Sequence, residues 1–168
     1  QLSGESGEAP LERVLELSQA EHCFEFEGLS ERPVPSLLRD FSAPVRVHYP
    51  WTREQLLFLM SHDPDGFNRW DAGQRLAVDV IQSLVGEFES AEVEPRLVDA
   101  YRSLLQDSEL DQALMAKMLQ LPSEAYLIEL AEQADVAAIH HAREKVLGHL
   151  AESLREELMA CYLRNAGQ

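Results

Sequence analysis

The sequence predicts a mainly α fold, with a small antiparallel β part at its N-terminus followed by a compact, solenoid-like array of about six helices. Up to Tyr49 apolar and polar residues alternate, and from Trp51 onward apolar residues recur at a spacing near 3.6. Early in the helical regime, His62 to Ala77 (HDPDGFNRWDAGQRLA) carries helix-start chemistry and then an apolar face, and the rest of the chain is organised around it.

Taken in order, residues 1–10 are polar, rich in small side chains, and read as a loop, linker or disordered end. Residues 11–50 form the β segment. Leu15 and Leu17 share one side of a first strand over 13–17, and Phe24 and Phe26 share one side of a second over 22–27, with carboxylates opposite. The short link from Ser18 to Glu21 suits a hairpin, although no Asn-Gly marks the turn. Gly28 to Phe41, with Pro33 and Pro35, reads as an irregular connection that tucks Leu37, Leu38 and Phe41 inward. Val45, Val47 and Tyr49 give a third strand. Three short strands with one apolar face make a poor independent sheet, so either the helices cover that face or further strands complete it. The second is favoured, and it leaves an open β-edge through which a second copy can pair.

Residues 51–168 form the helical segment. Thr52 and Gln55 have capping-box spacing, with Trp51 and Leu56 placed as a hydrophobic staple, and a helix runs to about His62. Asp63 as N-cap and Pro64 at the first helical position start the second helix, whose buried face is Phe67, Trp70, Ala77, Val80, Ile81 and Leu84 and which fades near Glu87. Gly73 in its middle costs roughly 1 kcal/mol relative to Ala, which points to close approach of another element. Glu94-Pro95 opens a third helix burying Leu97, Val98, Tyr101, Leu104 and Leu105. Asp111 caps a fourth with Leu114, Met115, Met118 and Leu119, and Ser123 caps a short fifth through Leu127, Leu130 and Ala131. Asp135 caps the last and longest, striped by Val136, Ile139, Val146, Leu150, Leu154, Leu158 and Tyr162. No repeat recurs at a fixed period. The stripe still runs at Cys161 to Leu163, which implies a longer natural chain, as does the start at Gln1 without a methionine.

Composition narrows the function classes. With 14 basic and 30 acidic residues, the net charge of -16 repels phosphate backbones and anionic membranes, so neither nucleic acid nor membrane is an expected partner. Cys23 and Cys161 match no disulfide framework or CxxC motif, which points to a reducing, cytoplasmic setting. No apolar run reaches the length of a membrane span, and no signal-peptide pattern opens the chain.

The chemistry-bearing candidates are sparse. No histidine is followed by glutamate, so the HExxH zinc-hydrolase signature is absent. His140 and Glu144 share a helix face, but a metal needs a third ligand, and an exposed helix face is the favoured reading. His62 beside Asp63 has the composition of a proton-transfer pair, yet a helix-end histidine next to a cap is the commoner arrangement. Arg69, Asp71 and Arg75 around Trp70 suit a carboxylate-binding or stacking site, against the favoured alternative of a core Trp70 whose charged neighbours pair with other segments, for example with Asp40. No Walker, GxGxxG or GxSxG motif occurs, and the acidic stretch Glu87 to Glu94 reads as solvated surface.

Several runs together resemble the bacterial aminopeptidase N family of zinc metallopeptidases. They are Ser18-Gln19-Ala20-Glu21 with Phe24 and Phe26, Pro33 to Arg39 (PVPSLLR), Phe41 to Val45, Gln55-Leu56, Phe58 to Met60, Phe67 to Gln74 (FNRWDAGQ) and Leu121-Pro122-Ser123. The resemblance runs from about Leu11 to Leu163. It implies that residues up to about Pro50 end an immunoglobulin-like β-domain and that the rest begins a helical C-terminal domain. It also implies that the zinc ligands, the general base and the exopeptidase recognition motif lie upstream, outside this chain. No catalytic, metal or cofactor residue is therefore carried over. The expectation is a non-catalytic fragment of a cytoplasmic aminopeptidase, partnered by the upstream catalytic domain and enclosing a chamber for peptide substrates. The rival expectations are a stand-alone acidic module that binds a partner strand by edge addition, and a small hydrolase built on His62 or on His140 and Glu144.

Overall fold

A computed structural model describes residues 12–86 and 92–166. The expected N-terminal loop over 1–10 and most of the acidic stretch, residues 87–91, lie outside the described residues. The chain divides into two compact units, residues 1–35 and 36–168.

In the first unit, none of the expected strand pairing is present among the described residues; Phe26 makes one isolated bridge and the rest has no regular secondary structure. Val14 and Leu17 are exposed, while Leu15 and Phe24 are half-buried. The third expected strand, Val45 to Tyr49, is likewise irregular, with Val45 exposed. Alternation marks which side chains seek cover, but a ladder also needs partner strands, and three short apolar edges bury too little to hold one another.

The second unit is helical. Its first feature is a tight 3-10 turn, Arg39–Phe41, in which Leu38, Asp40 and Phe41 all adopt left-handed backbone with φ near 55°. Such a run of non-glycine residues costs energy and persists only where neighbours enforce it. Phe41 is not tucked inward as expected; it is 68% exposed and packs its ring on Phe67 at 4.2 Å.

Among the described residues seven α-helices follow: α1 Arg53–His62, α2 Gly66–Gly86, α3 Pro95–Gln106, α4 Gln112–Met118, α5 Glu124–Leu130, α6 Val136–Ser153 and α7 Arg155–Asn165. The capping box at α1 is complete: the Gln55 N–H donates to Thr52 Oγ1 and the Thr52 N–H donates to Gln55 Oε1. Asp111, Ser123 and Asp135 accept from the third amide of α4, α5 and α6 at 2.9, 3.2 and 3.0 Å. The start of α2 is shifted from expectation. Asp65 accepts from the Asn68 N–H at 2.8 Å, which leaves Pro64 outside the helix and Asp63 at the C-terminal end of α1.

Helix α2 spans 21 residues, roughly 30 Å, and α1, α4 and α6 pack on it. Its core face is Ala72, Gly73, Leu76, Ala77, Val80, Ile81 and Leu84, whereas Phe67 stays 40% exposed and Trp70 half-buried. Each fully buried Leu or Ile contributes about 1.5–3 kcal/mol, so this face dominates the stability of the unit. All five expected α3 residues are buried. Gly73 lies where α1 comes close, and a Cβ there would stand 3.4 Å from Met60 Sδ. Leu130 and Val136, expected inside, are exposed at 44% and 55%.

The expected last and longest helix is two helices. Leu154, fully buried, leaves helical geometry at φ −115° and ψ 17°, and α7 turns to pack against α3. The Arg102–Glu157 pair at 2.8 Å and the Arg164 guanidinium donating to the Leu105 carbonyl at 2.9 Å hold that new direction. No described helix is long and apolar enough to cross a membrane.

Candidate functional site

The stretch that dominates the sequence, His62 to Ala77, becomes a densely bonded junction between α1, α2 and the turn before them. At its centre Asp63 has a side chain with no exposure, 3.4 Å from the Arg39 guanidinium. Asp63 Oδ1 also accepts from the Asp65 N–H at 2.9 Å, while Oδ2 has no hydrogen-bond partner among the described residues. Asp65 accepts the Asp40 N–H at 3.0 Å, which fixes the left-handed turn to the start of α2. Asn68 Nδ2 donates to Ser36 Oγ and to the Leu37 carbonyl at 2.9 and 3.0 Å. Two runs distant in sequence, PVPSLLR and FNRWDAGQ, are therefore bonded directly to each other.

The remaining charges of this stretch are committed to structure. Arg69 donates to the Met60 carbonyl at 3.0 Å and pairs with Asp107 at 3.3 Å, closing α2 onto the end of α3. Arg75 pairs with Asp71 at 2.6 Å and lies 5.1 Å over the ring of Trp51, not of Trp70. Of these charges Arg69 pairs with another segment, through Asp107, whereas Arg75 and Asp71 pair with each other within α2; Asp40 enters through its N–H to Asp65. The cavity among Ser36, Trp51, Asp63, Asn68, Asp71 and Arg75 measures about 30 Å³. That admits a single water-sized group and is far below the roughly 300 Å³ at which ligand pockets begin. The arrangement binds segments together and presents no pocket for a carboxylate ligand.

His62 and Asp63 do not form a proton-transfer pair. The His62 Nδ1 bonds to the Phe58 carbonyl at 3.1 Å and the ring stacks on Phe58, while Asp63 faces Arg39. His140 and Glu144 also part ways. His140 Nδ1 bonds to Glu124 at 2.8 Å across α5 and α6, and Glu144 takes a 3.2 Å pair with Arg143. The Glu124 hydrogen bond raises the His140 pKa above its ordinary value, with the Glu124 charge adding to it. No group of three or more His, Cys, Asp or Glu side chains among the described residues is placed to hold a metal ion. Arg39 and Asp65, at the heart of the junction, were not singled out by sequence reasoning; the signals available were the PVPSLLR run that ends on Arg39 and the cap position of Asp65, three residues before Asn68.

Comparison with known proteins fits this architecture. Residues 53–168 match the family described as a domain of unknown function (DUF3458_C) with ARM repeats. The chain belongs to this family. Residues 1–50 match a second model, a domain of unknown function (DUF3458) with an Ig-like fold, in line with the expected β character of that segment. DUF3458_C helices of very unequal length, from 7 to 21 residues here, explain why no fixed period is visible in the sequence. Over nearly its whole length the chain matches a C-terminal segment of bacterial aminopeptidase N. It is 39% identical to aminopeptidase N of Escherichia coli K12 over 164 residues, 96% of this chain and 19% of that protein. With the Haemophilus influenzae protein of the same name it shares 36% over 155 residues, 90% of this chain and 18% of the relative. The crystal structure of Legionella pneumophila aminopeptidase A in complex with aspartic acid matches with a TM-score of 0.73 at 32% identity, over 83% of this chain and 16% of that one. The chain thus spans about a fifth of the length of the curated relatives it matches.

Proposed function

We propose that this chain is a non-catalytic structural segment of a zinc-dependent aminopeptidase that removes N-terminal residues from peptides, and that its helical array helps enclose the substrate chamber. The observation that carries the reading is 39% identity over 96% of this chain against only 19% of aminopeptidase N, so that four fifths of such an enzyme lies outside the matched segment. In this reading the zinc and its ligands belong to the remainder of the enzyme, the partners are the catalytic domain and peptide substrates, and the setting is cytoplasmic. The junction around Asp63 serves to join the Ig-like and ARM-type segments. The test is an assay of the purified chain on L-alanine 4-nitroanilide with and without zinc. No turnover is expected, and zinc-dependent, chelator-sensitive turnover would overturn the reading.

A stand-alone acidic interaction module is the second reading, favoured by the exposure of Met159, Tyr162 and Leu163 along α7. The reading frame separates the two: HExxH encoded upstream in the same frame supports the enzyme segment, and a stop there supports the module. Light-scattering mass across a concentration series tests whether a second copy supplies the strand pairing that is missing among the described residues.

A further inference from the structure

Where α2, α5 and the start of α6 converge, an open groove of about 250 Å³ lies well away from the Asp63 junction. Its floor is aliphatic: Ile81, Leu127 and Ile139 contribute side chains at 0%, 1% and 4% exposure. Leu130 forms part of its wall and is 44% exposed, which for a leucine facing a cleft is surface that water covers poorly. Among the described residues, the charged ones lining it are Glu132 and Asp135, both carboxylates, with no lysine, arginine or histidine. Asp135 spends Oδ1 on the Ala138 N–H.

We propose that this groove docks a short cationic peptide segment, laying one aliphatic side chain against the exposed Leu130 wall and an adjacent lysine or arginine against Glu132 and Asp135. The volume lies below the roughly 300–1,000 Å³ of pockets that enclose a whole small ligand, but it fits one or two side chains presented by a chain passing over it. Charge complementarity selects the partner. An acidic segment would meet two carboxylates within a molecule of net charge -16, whereas a cationic one is drawn in by both the rim and the overall field. Neither feature suffices alone, since an all-cationic segment leaves the exposed Leu130 wall wet and an all-apolar one leaves the rim unpaired.

The experiment is fluorescence anisotropy of the full chain with a fluorescein-labelled Lys-Leu-Lys-Leu-Lys-Gly peptide at about 0.1 M salt, where general attraction is screened beyond about 10 Å. Saturable binding is expected. Glu132→Lys and Leu130→Ser should each weaken it about tenfold, while Glu156→Lys on α7, an equal change of net charge at a different exposed position, should change it less than about twofold. A peptide with serine in place of leucine should not saturate. Circular dichroism verifies that each variant is folded, and both groove positions are exposed, so either variant suffices if the other fails. Equal weakening by Glu156→Lys, equal binding of the serine peptide, or no saturable binding overturns the proposal. So does a concentration-dependent dimer that Leu130→Ser abolishes, because it assigns the groove to a second copy.

Discussion

Replacing Tyr101 by Phe should make the protein more stable, contrary to the usual outcome of a core substitution. Tyr101 on α3 is 2% exposed, and its hydroxyl has no hydrogen-bond partner among the described residues. Burying a hydroxyl without a partner costs about 1–3 kcal/mol, and Phe keeps the ring while removing that cost. A gain of about 1 kcal/mol is expected near pH 7, read as a rise of about 2–4 °C in Tm or of about 0.5 M in the urea midpoint with unchanged slope. The difference should grow at high pH. Burial pushes the Tyr101 hydroxyl up to about 12 from an ordinary 10. A group whose pKa is raised on folding contributes stability that is fully present below its unfolded pKa and lost as the pH rises through its folded one. The window is therefore pH 10 to 12, and roughly 3 kcal/mol is lost across it. Urea titrations of the parent and Tyr101→Phe at pH 7, 10, 11 and 12 measure both effects. A variant less stable than the parent by more than about 0.5 kcal/mol at pH 7, or a difference independent of pH, would refute the argument.

Asp63→Ala should lower stability by about 2–3 kcal/mol, because it strips the Arg39 guanidinium and the Asp65 N–H of their buried acceptor; a loss under about 0.5 kcal/mol in urea denaturation would show that the junction is not what fixes the turn. Gly73→Ala should stabilise by about 0.5–1 kcal/mol, since helix propensity is gained and the new methyl meets Met60 at ordinary contact distance, and a lowered Tm would contradict this. In an NMR pH titration, His140 should titrate above the usual histidine range and Glu124→Gln should bring it back down. Its pairing with Glu124 is present at low pH and fades as the pH rises through that elevated value, so an unshifted His140 would mean the pair does not form in solution.

What was legible in the sequence was whatever is decided within a few residues. The capping box at Thr52 and Gln55 and the caps at Asp111, Ser123 and Asp135 involve partners three positions away, and each is found where the spacing puts it. The rule weakens when two acids compete. Asp63 and Asp65 both suit the start of α2, and the tertiary partner Arg39 draws the first away and leaves the cap to the second. The break at Leu154 has neither Gly nor Pro to announce it and arises from contacts with α3, some 50 residues earlier in sequence. The Arg69 to Asp107 pair spans 38 positions, and no local pattern names that partner. The left-handed run Leu38, Asp40 and Phe41 contains no glycine, so its conformation is set by what Asp63 and Asp65 hold from outside. The alternation over 13–17, 22–27 and 45–49 reports apolar faces and says nothing about whether a ladder closes.

Nearly all of these interhelical ties are made by arginine. Twelve of the 14 cationic residues are arginines and only Lys117 and Lys145 are lysines. Guanidinium groups from Arg39, Arg53, Arg69, Arg96 and Arg102 each bridge two segments. Because a guanidinium keeps its proton far into alkali, these ties survive in a pH range that would dissolve lysine-based ones. The chain is also a sparse target for any reagent that acylates side-chain amines. Acetylation or crosslinking of lysine side chains is confined to Lys117 on α4 and Lys145 on α6, and leaves the arginine framework chemically intact.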